Sequence, residues 1–366
     1  MSDASKSSSA ARRPVVQWGG SDRRQQEEQM RASVLHGVGD IRMEDRADPV
    51  AGVGQVLVRV ESVGVCGSDV HYYEQGRIGS HIVERPMVLG HEAAGVVAST
   101  GSGVTRVRVG DRVSIEPGVP DFTCAECLAG RYNLCPAMSF YATPPIDGAL
   151  AELVLTHESF AHPVPDSMDL DSAALLEPVS VAVWACRKAS VSPGDHVLVT
   201  GAGPIGLIVT QVARAFGASE VTVTDVNPDR LSVAARLGAT RVIDSRSTDG
   251  TPFPVEPTVL VECSGHPSAV TSGLRALARA GRAVLVGMGG DEAALPVSRI
   301  QERELTVTGT FRYANTWPTA IALVASGQVD LAPLVTGHFG LADAEAALTA
   351  SRSVAGALKS IIRPQV

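Results

Sequence analysis

The segment HVLVTGAGPIGLIVTQVARAFG, His196 to Gly217, decides how the second half of the chain folds. It opens on a compact apolar run of the kind buried in a parallel sheet, and from Ile205 the apolar spacing becomes that of a helix. Gly201, Gly203 and Gly206 stand between the two. In a strand–turn–helix setting the first glycine permits the tight turn and the second lets backbone approach a pyrophosphate. The third allows close packing of helix on strand. Free N–H groups at the start of the helix then face the phosphates of a dinucleotide. A glycine-rich turn is weak evidence by itself. Here Asp225 ends the next apolar run, EVTVTD, where a carboxylate accepts hydrogen bonds from ribose hydroxyls. A carboxylate there repels the extra phosphate of NADP and favours NAD. Arg230, on the following helix, can pair with that phosphate or flank the adenine.

Further apolar runs, TVLVECSG (258–265) and RAVLVG (282–287), follow with helix-like segments 205–216, 230–237 and 269–280 between them. Strands alternating with helices predict a doubly wound, Rossmann-type parallel sheet over 181–316. Upstream, QVLVRVESVGV, AAGVVAST and DRVSIEPG alternate apolar and polar residues between Gly, Pro and Asp punctuation. That predicts a β-rich, barrel-like domain over 31–180. Residues 317–366, with TWPTAIALVASG and LADAEAALTASR, read as helical and are expected to return to this domain and complete it. Residues 1–30 are polar, lack the apolar centre of a secretory signal, and are expected to form a disordered tail.

At 366 residues the chain exceeds what one hydrophobic core usually serves, which agrees with two domains. The net charge of −8, without a Lys/Arg run beside aromatics, argues against a nucleic-acid partner. No apolar stretch reaches the ~20 residues of a membrane helix. A cytoplasmic location without a membrane partner is the expectation.

Two groups of metal-ligand residue types lie in the first half. VCGSDVHYYEQGRIG (65–79) and MVLGHEAAG (87–95) contribute Cys66, Ser68, His71, His91 and Glu92. A soft thiolate, a borderline nitrogen and an oxygen donor suit Zn²⁺ at a catalytic site that keeps one position open. Singly, each has a plainer reading: a lone cysteine is usually a small buried hydrophobe, and a lone histidine a structural residue. The second group is DFTCAECLAGRYNLC, Asp121 to Cys135, with three cysteines. Three thiols read as an incomplete metal site, a redox pair with a spare, or coincidence. Clustering without a signal peptide favours metal over disulfide.

Taken together, VCGSDVHYY, PMVLGHEAAGVV, GDRVSIEPG, CLAGRYNLC, ATPPIDGALAE, LLEPVSVAVWACRKA and FRYANTWP resemble the zinc-containing medium-chain dehydrogenase/reductase superfamily. Within it they are similar to the sorbitol (L-iditol 2-) and xylitol dehydrogenase branch. The resemblance runs from about Val34 to the C-terminus. It implies an α/β chain with a GroES-like β-rich catalytic domain and a Rossmann cofactor domain, commonly assembled as a homotetramer. It also implies oxidation of a secondary hydroxyl of a sugar alcohol to the ketose, with catalytic zinc and NAD.

Roles follow from the resemblance residue by residue. Cys66 and His91 bind the catalytic zinc, and in this branch Glu92 is the third protein ligand. Adjacent His91 and Glu92 need a bent backbone to reach one ion, because side chains alternate along a strand. Glu177 of LLEPVS stands where alcohol dehydrogenases supply a further cysteine. It either holds the water or substrate at the metal or exchanges onto it, and which glutamate is bound at rest stays open. Ser68 relays a proton, with His71 as a second station. Tyr72, Phe140, Thr143, Glu177, Arg312 and Tyr313 surround the substrate, whose many hydroxyls require polar partners. Dinucleotide contacts extend to Ile205, Arg230, Val286, Gly287, Met288, Thr310, Phe311 and Arg312.

The superfamily's structural-zinc lobe follows C-x2-C-x2-C-x7-C. Here the first position is Asp121, so the segment reads D-x2-C-x2-C-x7-C, and Asp is an acceptable zinc ligand. The resemblance therefore implies a structural zinc on Asp121, Cys124, Cys127 and Cys135. The alternatives are a vacant lobe, as in some polyol dehydrogenases, or an adventitious Cys124–Cys127 disulfide. Rival activities are an NAD-dependent L-threonine, butanediol or L-idonate dehydrogenase; FRYANTWP and the Tyr72/Glu177 pair argue against them. A cofactor-binding protein without catalysis is disfavoured because Cys66, His91 and both glutamates are present.

Overall fold

A computed structural model describes residues 29–248, 253, 255–290 and 292–366. The expected tail, 1–30, lies outside these residues except for Gln29 and Met30. Those two do not belong to it: they open the first strand, Gln29–Gly37. The β-rich half is organised around the strand Gln55–Gly64, whose Val56, Val58 and Val60 alternate into the core as a period of two requires. It pairs antiparallel with Glu92–Thr100, Leu153–His157 and Lys359–Arg363 in a seven-stranded sheet. A three-stranded sheet, Asp40–Ala47, Gln29–Gly37 and Met87–Val88, shares its core through Val34, Leu35 and Met87.

In the other half six parallel strands lie in the order Arg241–Asp244, Glu220–Asp225, His196–Thr200, Val259–Glu262, Arg282–Leu285 and Thr306–Gly309. By chain position that is 3-2-1-4-5-6, the doubly wound arrangement with its switch point beside the first strand. The apolar runs are continuous because both faces are covered. Val197 and Val199 point into one core, and Leu198 and Leu260 into another on the opposite face.

The boundary between halves differs from the expectation in two respects. The helix Leu176–Lys188 runs across position 180. Residues 317–334 join the cofactor side: Trp317, Ala320 and Leu323 of the helix Trp317–Ala325 share a core with Val179, Val183 and Val199. The strongly apolar face of that helix finds its complement on Leu176–Lys188. The return to the first sheet begins with the strand Val335–Gly340, which pairs with Lys359–Arg363.

Asp171 pins that returning pair. Its carboxylate accepts from Ser62 Oγ at 2.8 Å and Arg363 Nη2 at 2.8 Å, and His338 Nε2 lies 2.7 Å away. Burial acts to raise the Asp171 carboxyl, but Arg363, His338 and Ser62 outweigh it and hold the group below its ordinary value. A carboxyl depressed in the folded state contributes stability above the unfolded pKa, and that contribution is lost as pH falls through the folded one. Asp171→Asn should therefore cost about 1–3 kcal/mol at neutral pH. Urea unfolding should show the deficit shrinking below about pH 4; a deficit that ignores pH would leave the charge without a role.

Candidate active site

Cys66 sits where the strand Gln55–Gly64 gives way to the helix Gly67–Gln75, for which it is the N-cap. Asp69, one turn on, closes this junction: its Oδ2 accepts from the Cys66 N–H at 3.0 Å. Its Oδ1 accepts from the Gly90 N–H at 2.9 Å and lies 3.6 Å from His91 Nδ1. Gly90 has φ +87°, the left-handed region that favours glycine. This bend precedes the strand Glu92–Thr100, so His91 escapes the strand's alternation and faces the same point as Glu92. Gly64, opposite Glu92 in the sheet, leaves room for the carboxylate; a Cβ there would lie 2.1 Å from Glu92 Oε2.

Donor atoms of Cys66, His91 and Glu92 consequently lie within 4.8 Å of one another. Glu92 Oε1 accepts from Lys359 Nζ at 2.5 Å, and the same ammonium donates to Val65 O at 2.8 Å. Glu92 Oε2 is buried and has no hydrogen-bond partner among the described residues. A bare buried carboxylate oxygen is costly, and a cation beside it removes the cost. One sulfur, one nitrogen and one orphaned oxygen fit a zinc ion at a site with an open position. Burial works against an ammonium at Lys359, but Glu92, Cys66 and Glu177 outweigh it and keep the group charged. Burial likewise disfavours an imidazolium at His91, and Asp69 and Cys66 hold it well above the ordinary value. Metal binding must displace that proton. Neither Asp69 nor Lys359 stood out in the sequence. The available signal for Lys359 was a cation heading the strand KSIIR, whose first four residues are buried.

Glu177 does not join the three convergent donors. It lies in the first turn of the helix Leu176–Lys188, and its Oε1 accepts from Tyr313 Oη at 2.6 Å. Burial pushes its carboxyl up to about 7, with the charge on Glu92 adding to the effect against His91 and Tyr313. Arg312 stacks its guanidinium 3.7 Å from the centre of the Phe140 ring and reaches Thr143 Oγ1 at 3.4 Å. The Phe140 ring is 5.9 Å from that of His91. Phe140, Thr143, Glu177, Arg312 and Tyr313 are thus brought beside the metal donors. Tyr72 is buried on the helix Gly67–Gln75, where Ser68 and His71 are half-buried, three residues apart.

On the cofactor side, Asp225, Val286, Gly287, Met288, Thr310 and Phe311 all lie at or just past the C-terminal ends of parallel strands. That edge is where open α/β sheets bind ligands. Gly203 caps the helix Pro204–Ala215 without a side-chain hydrogen bond, leaving its first N–H groups for phosphate. A Cβ on Gly206 would lie 1.8 Å from Gly201 O, and one on Gly203 would meet open space. This cradle fits a pyrophosphate. Asp225 also holds the turn itself: Oδ2 accepts from the Ala202 N–H at 2.6 Å and Oδ1 from the Asn227 N–H at 2.8 Å. Ile205 and Arg230 open the two helices that flank this turn.

In the lobe 121–135, donor atoms of Asp121, Cys124, Cys127 and Cys135 also lie within 4.8 Å of one another. The N–H groups of Cys124 and Thr123 bond to Asp121 Oδ1 and hold its carboxyl down at about 2. Burial and its crowded neighbours push the Cys127 thiol up to about 12. A permanently charged carboxylate facing three thiols fits a cation, which supplies the charge needed to deprotonate them.

Comparison with known proteins follows this division. Residues 52–166 match the alcohol dehydrogenase GroES-like domain, and residues 204–326 match the zinc-binding dehydrogenase family. The sorbitol dehydrogenase of Mus musculus is 46% identical over 330 residues, 88% of this chain and 92% of that protein. The structure of an Escherichia coli oxidoreductase/dehydrogenase of unknown specificity has a TM-score of 0.87 at 35% identity, covering 92% of this chain and 99% of that one. L-idonate 5-dehydrogenase from the same species has a TM-score of 0.86 at 30% identity over 92% of this chain and 99% of its own. With both halves matched in order and such identity over most of its length, the chain belongs to the zinc-containing medium-chain dehydrogenase family, in its sorbitol dehydrogenase-like branch.

Proposed function

We propose that the chain oxidises a secondary hydroxyl of a sugar alcohol of sorbitol, L-iditol or xylitol type to the ketose. NAD is the cofactor, and Cys66, His91 and Glu92 hold the catalytic zinc. The observation that carries this reading is the polar wall facing the three donors: Glu177 bonded to Tyr313, and Arg312 beside Thr143. A simple alcohol needs no such partners, whereas a polyol leaves unpaired hydroxyls without them.

When bound, zinc supplies a Lewis acid that lowers the pKa of a hydroxyl, and the nicotinamide supplies the hydride acceptor. The chain's residues do the rest. Glu177, raised by burial toward neutrality, exchanges a proton with a hydroxyl at its free oxygen while Tyr313 fixes the other. Arg312 offers donors to further hydroxyls, and its stacking on Phe140 keeps the guanidinium in plane. Ser68 and His71, three residues apart on one helix, share a face and carry the proton toward solvent. Asp225 orients the ribose and disfavours a phosphate on it.

The test is reduction of NAD⁺ and NADP⁺ with sorbitol, xylitol, ribitol, galactitol, L-iditol, L-threonine and 2,3-butanediol. A polyol with NAD⁺ should give the highest kcat/KM. Threonine or butanediol turnover equal to that of every polyol would overturn the assignment. The reading includes a cytoplasmic homotetramer; sedimentation that finds only single chains would contradict the assembly.

A further inference from the structure

Between Cys127 and Cys135 the lobe reaches across to residues 311–316, the segment that leaves the cofactor sheet and carries Arg312 and Tyr313. Asn133 Nδ2 donates to Phe311 O at 2.8 Å. The Asn315 N–H donates to Tyr132 Oη at 2.8 Å, and Asn315 Nδ2 to Gly130 O at 3.1 Å. Tyr132 is itself fixed: its hydroxyl donates to buried Glu116 Oε1 at 2.7 Å, and Glu116 Oε2 lies 2.9 Å from His162 Nε2. Asn133 is buried, and its Oδ1 has no partner among the described residues, so its side chain bonds to the loop rather than within the lobe.

The backbone these bonds grip is strained. Arg312 has φ +52° and Asn315 φ +56°. Residues other than glycine keep such conformations only where their surroundings hold them. The gripping lobe has little core of its own: Phe122, Leu128 and Leu134 are exposed, and Asn133 and Cys135 are its buried members. Its shape therefore depends on the four donors being tied together.

We propose that the lobe 121–135 is a positioning element for the substrate. Closed at Asp121, Cys124, Cys127 and Cys135, it holds the 311–316 loop in the strained form that presents Arg312 and Tyr313 to the polyol. Asn133 and Tyr132 are the positioning residues. The inference rests on the polyol reading above for its kinetic consequence, and on the hydrogen bonds alone for its structural one.

Two variants test it in the zinc-loaded full chain. Asp121→Ala should lower zinc content from about two ions per chain to about one. Asn133→Leu keeps all four donors and removes only the bond to Phe311 O. In both, amide exchange in a peptide covering 311–317 should quicken about tenfold. KM for sorbitol should rise about tenfold, with kcat held within about twofold. The double variant should be no worse than Asp121→Ala alone, because the Asn133 bond is one of the three lobe–loop bonds that opening the lobe already releases. Unchanged exchange and KM in Asn133→Leu overturns the proposal, as does multiplication of the two effects. So does a loss confined to Tm or kcat, which a merely structural lobe would give. If Asp121→Ala does not fold, Asn133→Leu decides by the same readouts. If the unmodified enzyme turns over no polyol, the substrate reading fails while the exchange measurement still tests the loop.

Discussion

Cys66→Ser should lower polyol turnover by about 10³-fold or more while NADH still binds within about twofold of the unmodified enzyme. The thiolate is the soft donor of the set, and serine replaces it with a hydroxyl that keeps its proton near neutral pH. His91 and Glu92 then remain as two protein donors, below the three that catalytic zinc sites use. The nucleotide cradle at Gly201, Gly203 and Asp225 belongs to the other sheet and does not depend on the metal. Zinc content, single-turnover hydride transfer and NADH fluorescence titration separate these effects. Normal turnover in a variant that has lost one zinc would remove the metal from the reaction. Loss of NADH binding in parallel would instead mean that the substitution unfolds the chain.

Lys359→Met should destabilise the zinc-free enzyme by about 3–5 kcal/mol, and the zinc-loaded enzyme by clearly less. The ammonium is nearly inaccessible and bonds to Glu92 Oε1 and Val65 O. Removing it leaves Glu92, already without a partner at Oε2, with neither oxygen satisfied. An uncompensated buried charge is among the few single changes with so large an effect. A bound cation at Cys66 and His91 offsets the same charge, so zinc should raise Tm more in the variant than in the parent. Adding Glu92→Gln should recover part of the stability without recovering metal affinity. Urea unfolding with and without chelator checks this. An equal loss in both states would mean that Lys359 contributes packing alone, and no loss would mean that the ion pair contributes nothing.

Much of the architecture was legible because it is written in local periodicities. The glycine turn at 201–206 and the strands after it need only short-range spacing to be read, and the parallel sheet follows from their alternation. The boundary near 317 was not legible. An apolar helix announces that it will be buried, but not against which half, and Trp317 chose the helix Leu176–Lys188. Site chemistry divides in the same way. Donor types are properties of single residues and so were readable at Cys66 and His91, whereas Asp121 was reached only by setting its segment against the superfamily's C-x2-C-x2-C-x7-C pattern.

Which glutamate stands beside Cys66 and His91 is a different kind of fact. It depends on the register of Gly64 against Glu92, on the bend at Gly90, and on Tyr313 drawing Glu177 away. Lys359 meets Glu92 across 267 positions of sequence, and Asn133 meets Phe311 across 178. Fold class follows from apolar periodicities repeated along the chain, and the donor residue types and the dinucleotide turn are each set within a few residues. How those donors are oriented, charged and held is settled by packing, because a buried charge or an orphaned oxygen finds its partner wherever the folded chain brings one.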